Sequence, residues 1–448
     1  MRGAADERPM SGLVPVEAAQ ATVLAGVEPL GAADALAPEA ALGRVLAGPA
    51  AAATSLPPWD NSAMDGYAVR SADVAAAREG DPIRLAVVGE VRAGGEPDVR
   101  VLDGTAVRIA TGAPLPPGAD AVVPVEQTTP LDHAGSLGPR GREASGPLPA
   151  AVLVHEAVGV GGAVRAAGSD VHQGDVIAMA GDLVTPALVA LTAGAGVAAL
   201  SVRRRPVVAV LATGDEVRAA GAPLGSSGIP DANGPGIRSL VRDAGGDALE
   251  LGIAEDRLDD VLARMRRGLA EADLVVVAGG VSVGPYDVVR SAFDTVGHVD
   301  LWRVAVQPGK PFAFGRAEVP GRASPVLLFG LPGNPVSVFV TFELFVRPVI
   351  RRLAGHQRLH RPADRCVLEE PVSKSEGRRG MQRVTALRDP DGSPLRDGAG
   401  RVRVRLAGGQ GSHVLSALAA ADALAVVPEA LARAEAGTEL ELRWLDRD

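Results

Sequence analysis

Cysteine is almost absent from this chain of 448 residues: Cys366 stands alone. One thiol cannot form a disulfide within the chain, which fits a reducing compartment and excludes a disulfide-built scaffold. Cys366 lies in the alternating run RCVLEE with no nucleophile motif around it, so the expectation is a buried structural thiol. Aromatic residues make up 3% of the chain, so its cores must be built from Ala, Val and Leu. The seven histidines form no i,i+4 pair, and neither a zinc spacing nor a catalytic-triad spacing occurs. Basic residues are outnumbered, 45 against 54 acidic, giving a net charge of −9. That balance argues against a nucleic-acid partner and leaves room for a local anion pocket. Long apolar runs are lacking too. Residues 183–202, ahead of three arginines, contain Pro186, Gly194 and Gly196 and have no length to spare, so they read as a buried helix and strand and no membrane contact is expected. The opening MRGAADERPM mixes acids and bases without an apolar stretch; no signal peptide is expected, and the expected location is the cytoplasm.

What is abundant is backbone punctuation, with 55 Gly and 35 Pro, and a length that suggests two to four domains. Apolar spacing predicts helices over 13–25 and 35–48. Strands follow at 83–91, 106–110 and 120–127, so this stretch reads as mainly β. Residues 128–150 have no period and read as a loop. From residue 206 strands and helices alternate: strands 207–213, 248–254, 273–280 and 325–333, with helices 236–244, 257–270, one from Pro285, and 335–353. This spacing indicates a doubly wound α/β domain. After Gly355 short strands return at near ten-residue spacing, which suggests a small barrel or sandwich.

Three constellations lie where ligands bind in open α/β sheets, beyond the C-terminal strand ends. Gly279, Gly280, Ser282 and Gly284 follow one strand and precede a helix. Glycines admit a phosphate close to the backbone, a helix start offers free N–H groups, and Ser282 adds a hydroxyl. Thr213, Gly214, Asp215 and Glu216 end another strand on the same rim, and Asp256 and Asp287 fall nearby. Carboxylates gathered around a phosphate suggest Mg²⁺, a hard ion that bridges oxygens. Pro332 and Pro335 flank a Gly-Asn corner that leads into a helix, with Lys310 in the nearby turn QPGKP. Taken singly, these features also fit ordinary caps and turns. So do Asp65 in NSAMDGY, Thr111 in TGA, and Arg165 with Asp170.

Together the stretches DNSAMDGYAVR, RIATGAPLPPGADAVV, RAAGSDVHQGD, VLATGDEV, AGGVSVGPYD, VQPGKPFAFG, LPGNPVSVF and GQGSHVLSALAAADAL resemble the molybdopterin molybdenumtransferase (MoeA) family, which shares its architecture with the C-terminal domain of gephyrin. The match runs from about residue 13 to the end. The resemblance implies an N-terminal lasso domain of residues 11–48 plus 174–205, an inserted β-rich domain of 49–173, an α/β molybdopterin-binding domain of 206–355, and a C-terminal β-barrel of 356–448. It further implies a homodimer with a shared active site. Adenylylated molybdopterin and molybdate are the implied substrates, and AMP is released with the help of Mg²⁺.

By resemblance, Asp65 and Thr111 match positions that reach a partner's cleft, and Arg165 and Asp170 match the RxxGxD stretch. Glu216, Asp256 and Asp287 match the acidic cluster near the phosphates, the implied Mg²⁺ ligands. Pro332 and Pro335 match the corner by the molybdate region, and Arg383 and Ser412 match C-terminal-domain positions. Two basic positions of the anion region are Arg303 and Gln307 here. Arg303 keeps a forked cation, whereas Gln307 loses a charge. IPDANGPGI (229–237) lacks a tyrosine usual in the family. Three other readings compete with metal insertion into molybdopterin: an adenylyltransferase-like protein, a molybdopterin-binding scaffold, and a transferase specialised for tungstate.

Overall fold

A computed structural model describes residues 12–141, 146–280 and 288–445. They divide into two compact units, Ala35–Val202 and a unit made of the chain's two ends, up to Asp34 and from Arg203 onward.

The larger unit is built on a six-stranded sheet. Its elements run β1 (Val207–Thr213), α1 (Asn233–Asp243), β2 (Asp247–Ala254), α2 (Leu258–Glu271), β3 (Leu274–Ala278), α3 (Val288–Val296), β4 (His298–Trp302), β5 (Ala313–Ala317), β6 (Val326–Leu331) and α4 (Pro335–Thr341). The strand order is β2-β1-β3-β6-β5-β4. β2, β1, β3 and β6 are parallel, while β5 and β4 extend the sheet antiparallel. Period-two alternation explains the continuous apolar run of β1. Val208 and Val210 enter one core with α1 and α4, and Ala209 and Leu211 enter the other with α2 and α3. The antiparallel pair escaped the sequence reading because its strands are short and joined through the proline-rich QPGKP turn.

The single helix expected over 335–353 is broken. After α4 comes a π-helical turn, Phe342–Val346, and then α5, Arg347–Leu353. Pro348 has no N–H to offer the carbonyl four residues back, Leu344. That carbonyl instead accepts from Gln20 Nε2 at 3.1 Å. Gln20 belongs to the helix Val16–Leu24, whose Val16, Ala19 and Val23 complete the same core.

In the same unit Arg379–Ala386, Val402–Leu406, Ala363–Leu368, Glu439–Trp444 and Ala423–Val427 pair in that order. The last strand closes back on the first, forming a five-stranded barrel. Cys366 is wholly buried inside it. Val306–Gln307 pairs with Arg379–Gly380, tying the sheet's connecting segment to the barrel.

The second unit carries a six-stranded sheet in the order Ala121–Pro124, Gly66–Val69, Thr105–Ile109, Ile83–Val91, Ala151–Val154 and Thr128–Leu131. Part of the expected 128–150 loop is thus a strand, with Thr128–Leu131 registered against Ala151–Val154. Of residues 35–48, expected as helix, the first two belong to the strand Ala33–Leu36 and the rest are turns and short bridges punctuated by Pro38 and by Gly43 at φ 75°. Ala50–Ala51 pairs with Val176–Ala178, and Leu46 bridges Val202.

Candidate functional site

The sheet's C-terminal rim gathers most of the sequence-predicted residues of the α/β unit. Gly279 and Gly280 follow β3 at φ 95° and 63°. A Cβ on Gly279 would stand 2.5 Å from the carbonyl oxygen of Thr213, and one on Gly280 would stand 3.0 Å from its Oγ1. Only glycine fits both the backbone angles and this approach. Thr213 ends β1, and its buried Oγ1 has no partner among the described residues. The next turn brings the Glu216 carboxylate over Gly214. Asp215 Oδ1 accepts from the Asp256 backbone N–H at 3.0 Å, joining the ends of β1 and β2. Partial burial, and then the charges of Asp215 and Glu216, push the Asp256 carboxyl above its usual range. Three acids therefore stand near one another beside a glycine turn. Ser282, Gly284 and Asp287 lie outside the described residues.

The proline corner joins the same rim. Pro332 is buried and Pro335 opens α4. Asn233, at the start of α1, donates through Nδ2 to the Gly333 carbonyl at 2.8 Å, while its buried Oδ1 has no partner among the described residues. The sequence reading passed over Asn233. An asparagine opening a helix reads as a cap, and nothing in the sequence shows that its amide crosses to residue 333.

A second group lies where the barrel meets α4. Arg383 is wholly buried. Its Nη2 donates to the carbonyls of Gly409 (3.0 Å) and Gly411 (3.2 Å), and Gln410 clamps its backbone on both sides. Nε and Nη1 meet no partner among the described residues. Burial lowers the guanidinium's pKa from its usual range. Ser412, next along, accepts the Val336 N–H of α4 through its backbone carbonyl at 3.1 Å. The QPGKP turn packs on the same helix, since a Cβ on Gly309 would press 2.7 Å from Thr341 Cγ2. Lys310 is half-buried in that turn, and Gln307 spends its Oε1 on the Ser375 N–H at 2.9 Å. Arg303 sits at φ 103°, an angle that costs a non-glycine residue about 1–3 kcal/mol. Its Nε is also buried without a partner among the described residues.

The unit Ala35–Val202 carries a separate group. Asp65 Oδ1 accepts from both the N–H (2.6 Å) and the Oγ1 (2.8 Å) of Thr111. Ser62 and Ala63 zip to Ala113 and Ala163, and Arg165 reaches the Ala63 carbonyl at 3.5 Å. Asp65, Thr111, Arg165 and Asp170 are all exposed on this surface.

Among the described residues no three His, Cys, Asp or Glu side chains form a ready metal cage. The donors around Asp256 are nevertheless hard carboxylate oxygens whose mutual repulsion a divalent cation would relieve. Mg²⁺ characteristically takes one or two carboxylates and completes its shell with water and phosphate oxygens. The residues present fit that mode of binding.

The chain matches three consecutive family descriptions: the MoeA N-terminal region (domain I and II) over residues 14–196, the probable molybdopterin binding domain over 209–352, and the MoeA C-terminal region (domain IV) over 365–443. Molybdopterin molybdenumtransferase 2 of Mycobacterium tuberculosis is 36% identical over 408 residues, covering 90% of this chain and 92% of that protein. The molybdopterin molybdenumtransferase of Haemophilus influenzae is 34% identical, covering 86% of each. The crystal structure of a molybdopterin biosynthesis MoeA protein from Pyrococcus horikosii superposes with a TM-score of 0.75 at 28% identity, covering 97% of this chain and 99% of that one. On this agreement along nearly its whole length, the chain belongs to the MoeA family of molybdopterin molybdenumtransferases, transferase enzymes of molybdenum cofactor biosynthesis.

Proposed function

We propose that this chain inserts molybdenum from molybdate into adenylylated molybdopterin and releases AMP, with Mg²⁺ as cofactor. The observation that carries the reading is Arg383, a wholly buried guanidinium with two N–H-bearing nitrogens that meet no partner among the described residues. An arginine stays charged in a protein, and a buried charge satisfied only in part, here by two carbonyls on Nη2, costs several kcal/mol without a counter-ion. An oxyanion beside Ser412 supplies the missing acceptors, and molybdate is the oxyanion this reading assigns there.

The chemistry balances without a redox step. Molybdate and the two thiols of the dithiolene form two Mo–S bonds and release one water. One water is then consumed as the pyrophosphate P–O–P bond breaks and AMP departs. In this reading Arg383 and Ser412 hold the oxyanion. The N–H groups and glycine backbone at 279–280, with Thr213, cradle the phosphates. Bound Mg²⁺ would neutralise charge building on the departing phosphate. Glu216, Asp256 and Asp287 are the residues to hold it. The exposed pair Asp65–Thr111 serves a cleft assembled from two copies of the chain. No helix among the described residues is long and apolar enough to cross a membrane; the reading assigns the enzyme to the cytoplasm.

The test is a reconstituted assay with adenylylated molybdopterin, Mg²⁺ and molybdate that follows AMP and cofactor together. The wild-type chain is expected to release AMP only when molybdate is present. Arg383→Lys keeps a cation but loses the fork, and kcat/KM for molybdate should fall on the order of 100-fold. Unchanged molybdate dependence in that variant would remove Arg383 from the site, and tungstate in place of molybdate measures the choice of metal.

A further inference from the structure

A cavity of 440 Å³ in the larger unit touches the assigned site at Asn233 and Pro335 and otherwise has no role so far. Its walls come from α1, α4 and the short helix α6 (Leu415–Ala419) of the barrel. That volume falls within the roughly 300–1,000 Å³ of small-molecule sites. One end lies at Asn233 and Pro335, which the Asn233–Gly333 bond and the Val336–Ser412 bond place beside the proposed oxyanion position. Between the ends the walls are apolar, formed by Ile237, Leu240, Phe339 and Leu418 among others. The other end is polar and half-exposed: Asp243 meets Arg347 (2.9 Å) and Arg361 (2.5 Å), and both bonds fall on Oδ2. The carboxylate is thus fixed in direction by two arginines of low exposure, with Oδ1 left for a ligand.

We propose that this cavity holds the pterin ring system of molybdopterin, with Asp243 reading its 2-amino-pyrimidinone edge. The proposal rests on the transferase reading above and assigns the part of the substrate which that reading left unplaced. Asn233 and Asp243 are ten residues apart on one helix, about 15 Å at 1.5 Å per residue, enough for a fused heterocycle lying along α1. A pterin presents two adjacent N–H donors, its 2-amino group and N3–H, which can converge on the two lone pairs of Oδ1. Adenine presents an amino group beside a ring acceptor, which the same carboxylate would repel. The slot therefore selects the pterin end of the substrate over its nucleotide end. In this orientation the dithiolene lies at the Asn233 and Pro335 end, toward Arg383 and Ser412.

The experiment titrates the full chain with pterin alone and with lumazine, its analogue lacking the 2-amino group. AMP serves as competitor. The wild-type chain should bind pterin at least ~10-fold tighter than lumazine, whose C2 carbonyl would face the half-exposed Asp243 carboxylate where pterin offers an N–H donor. Asp243→Asn should erase that preference. Leu240→Trp, which fills the slot, should weaken pterin at least ~10-fold by exclusion while AMP binding stays unchanged. A preference that survives in Asp243→Asn, pterin binding that ignores Leu240→Trp, or displacement of pterin by AMP overturns the proposal. Should Asp243→Asn fail to fold for want of an arginine partner, Leu240→Trp decides alone. Cofactor formation by the wild-type chain is assayed separately. Its success without any pterin preference retires only this inference, and its failure retires the transferase reading.

Discussion

Arg383 and Cys366 are both wholly buried in or beside the barrel, and burial disfavours the charged form of each. For the arginine, whose charge persists, the outcome is an unmet demand for an anion. For the cysteine it is silence. Burial, with the nearby carboxylates of Asp364 and Glu439, pushes the Cys366 thiol up to about 12. At pH 8 the thiolate fraction is then smaller than in a free cysteine by on the order of 1,000-fold. Iodoacetamide at pH 8 should therefore leave Cys366 unmodified in the native chain and label it within minutes in 6 M guanidinium (~6 M, chosen to exceed the unfolding midpoint of ordinary domains), as read by intact mass. Rapid native labelling would show that the barrel opens locally. The sequence placed this thiol correctly because an alternating apolar run has one buried face. It could not reveal the nitrogens of Arg383 that lack partners among the described residues, since these depend on a loop 26 to 28 residues further on folding back over its strand.

At the scale of elements, β1, β3 and β6 were legible because burial on both faces leaves continuous apolar runs such as VVAVLAT. The glycine turn was legible because its residues had no other reason to be glycine. What stayed hidden were features fixed by distant partners. The break after α4 is one of them: Pro348 announces a fault, but not that the freed Leu344 carbonyl is met by Gln20, 324 residues away. That bond gives a prediction. Gln20→Leu keeps the helix propensity of Val16–Leu24 and leaves a buried carbonyl unpaired. Stability should fall by about 1–2 kcal/mol, read as a lower urea midpoint with unchanged slope. A variant as stable as the wild type would mean that water serves the carbonyl. The Asn233–Gly333 contact was hidden for the same reason, since a helix-opening asparagine carries no mark of a partner one hundred residues on.

At the scale of the whole molecule, the assigned residues fall into two sets on two units: Arg383 with its neighbours on one, Asp65 with Thr111 on the other. If each cleft draws one set from each of two copies, two dead variants must rescue one another. Asp65→Asn and Arg383→Ala homodimers should both be inactive in the molybdate-dependent assay. Random mixing makes half of the dimers mixed. Within a mixed dimer, one cleft combines the intact Arg383 of one copy with the intact Asp65 of the other, and the second cleft carries both lesions. Activity should therefore return to about one quarter of the wild-type level, as half the dimers each carry one sound cleft of two. If instead each chain completes its own cleft, every cleft in the mixture holds one lesion and activity stays at zero. The quarter-level rescue thus discriminates a shared site from a self-contained one without reference to how the two units are arranged, and it requires both residue sets to act in the same reaction.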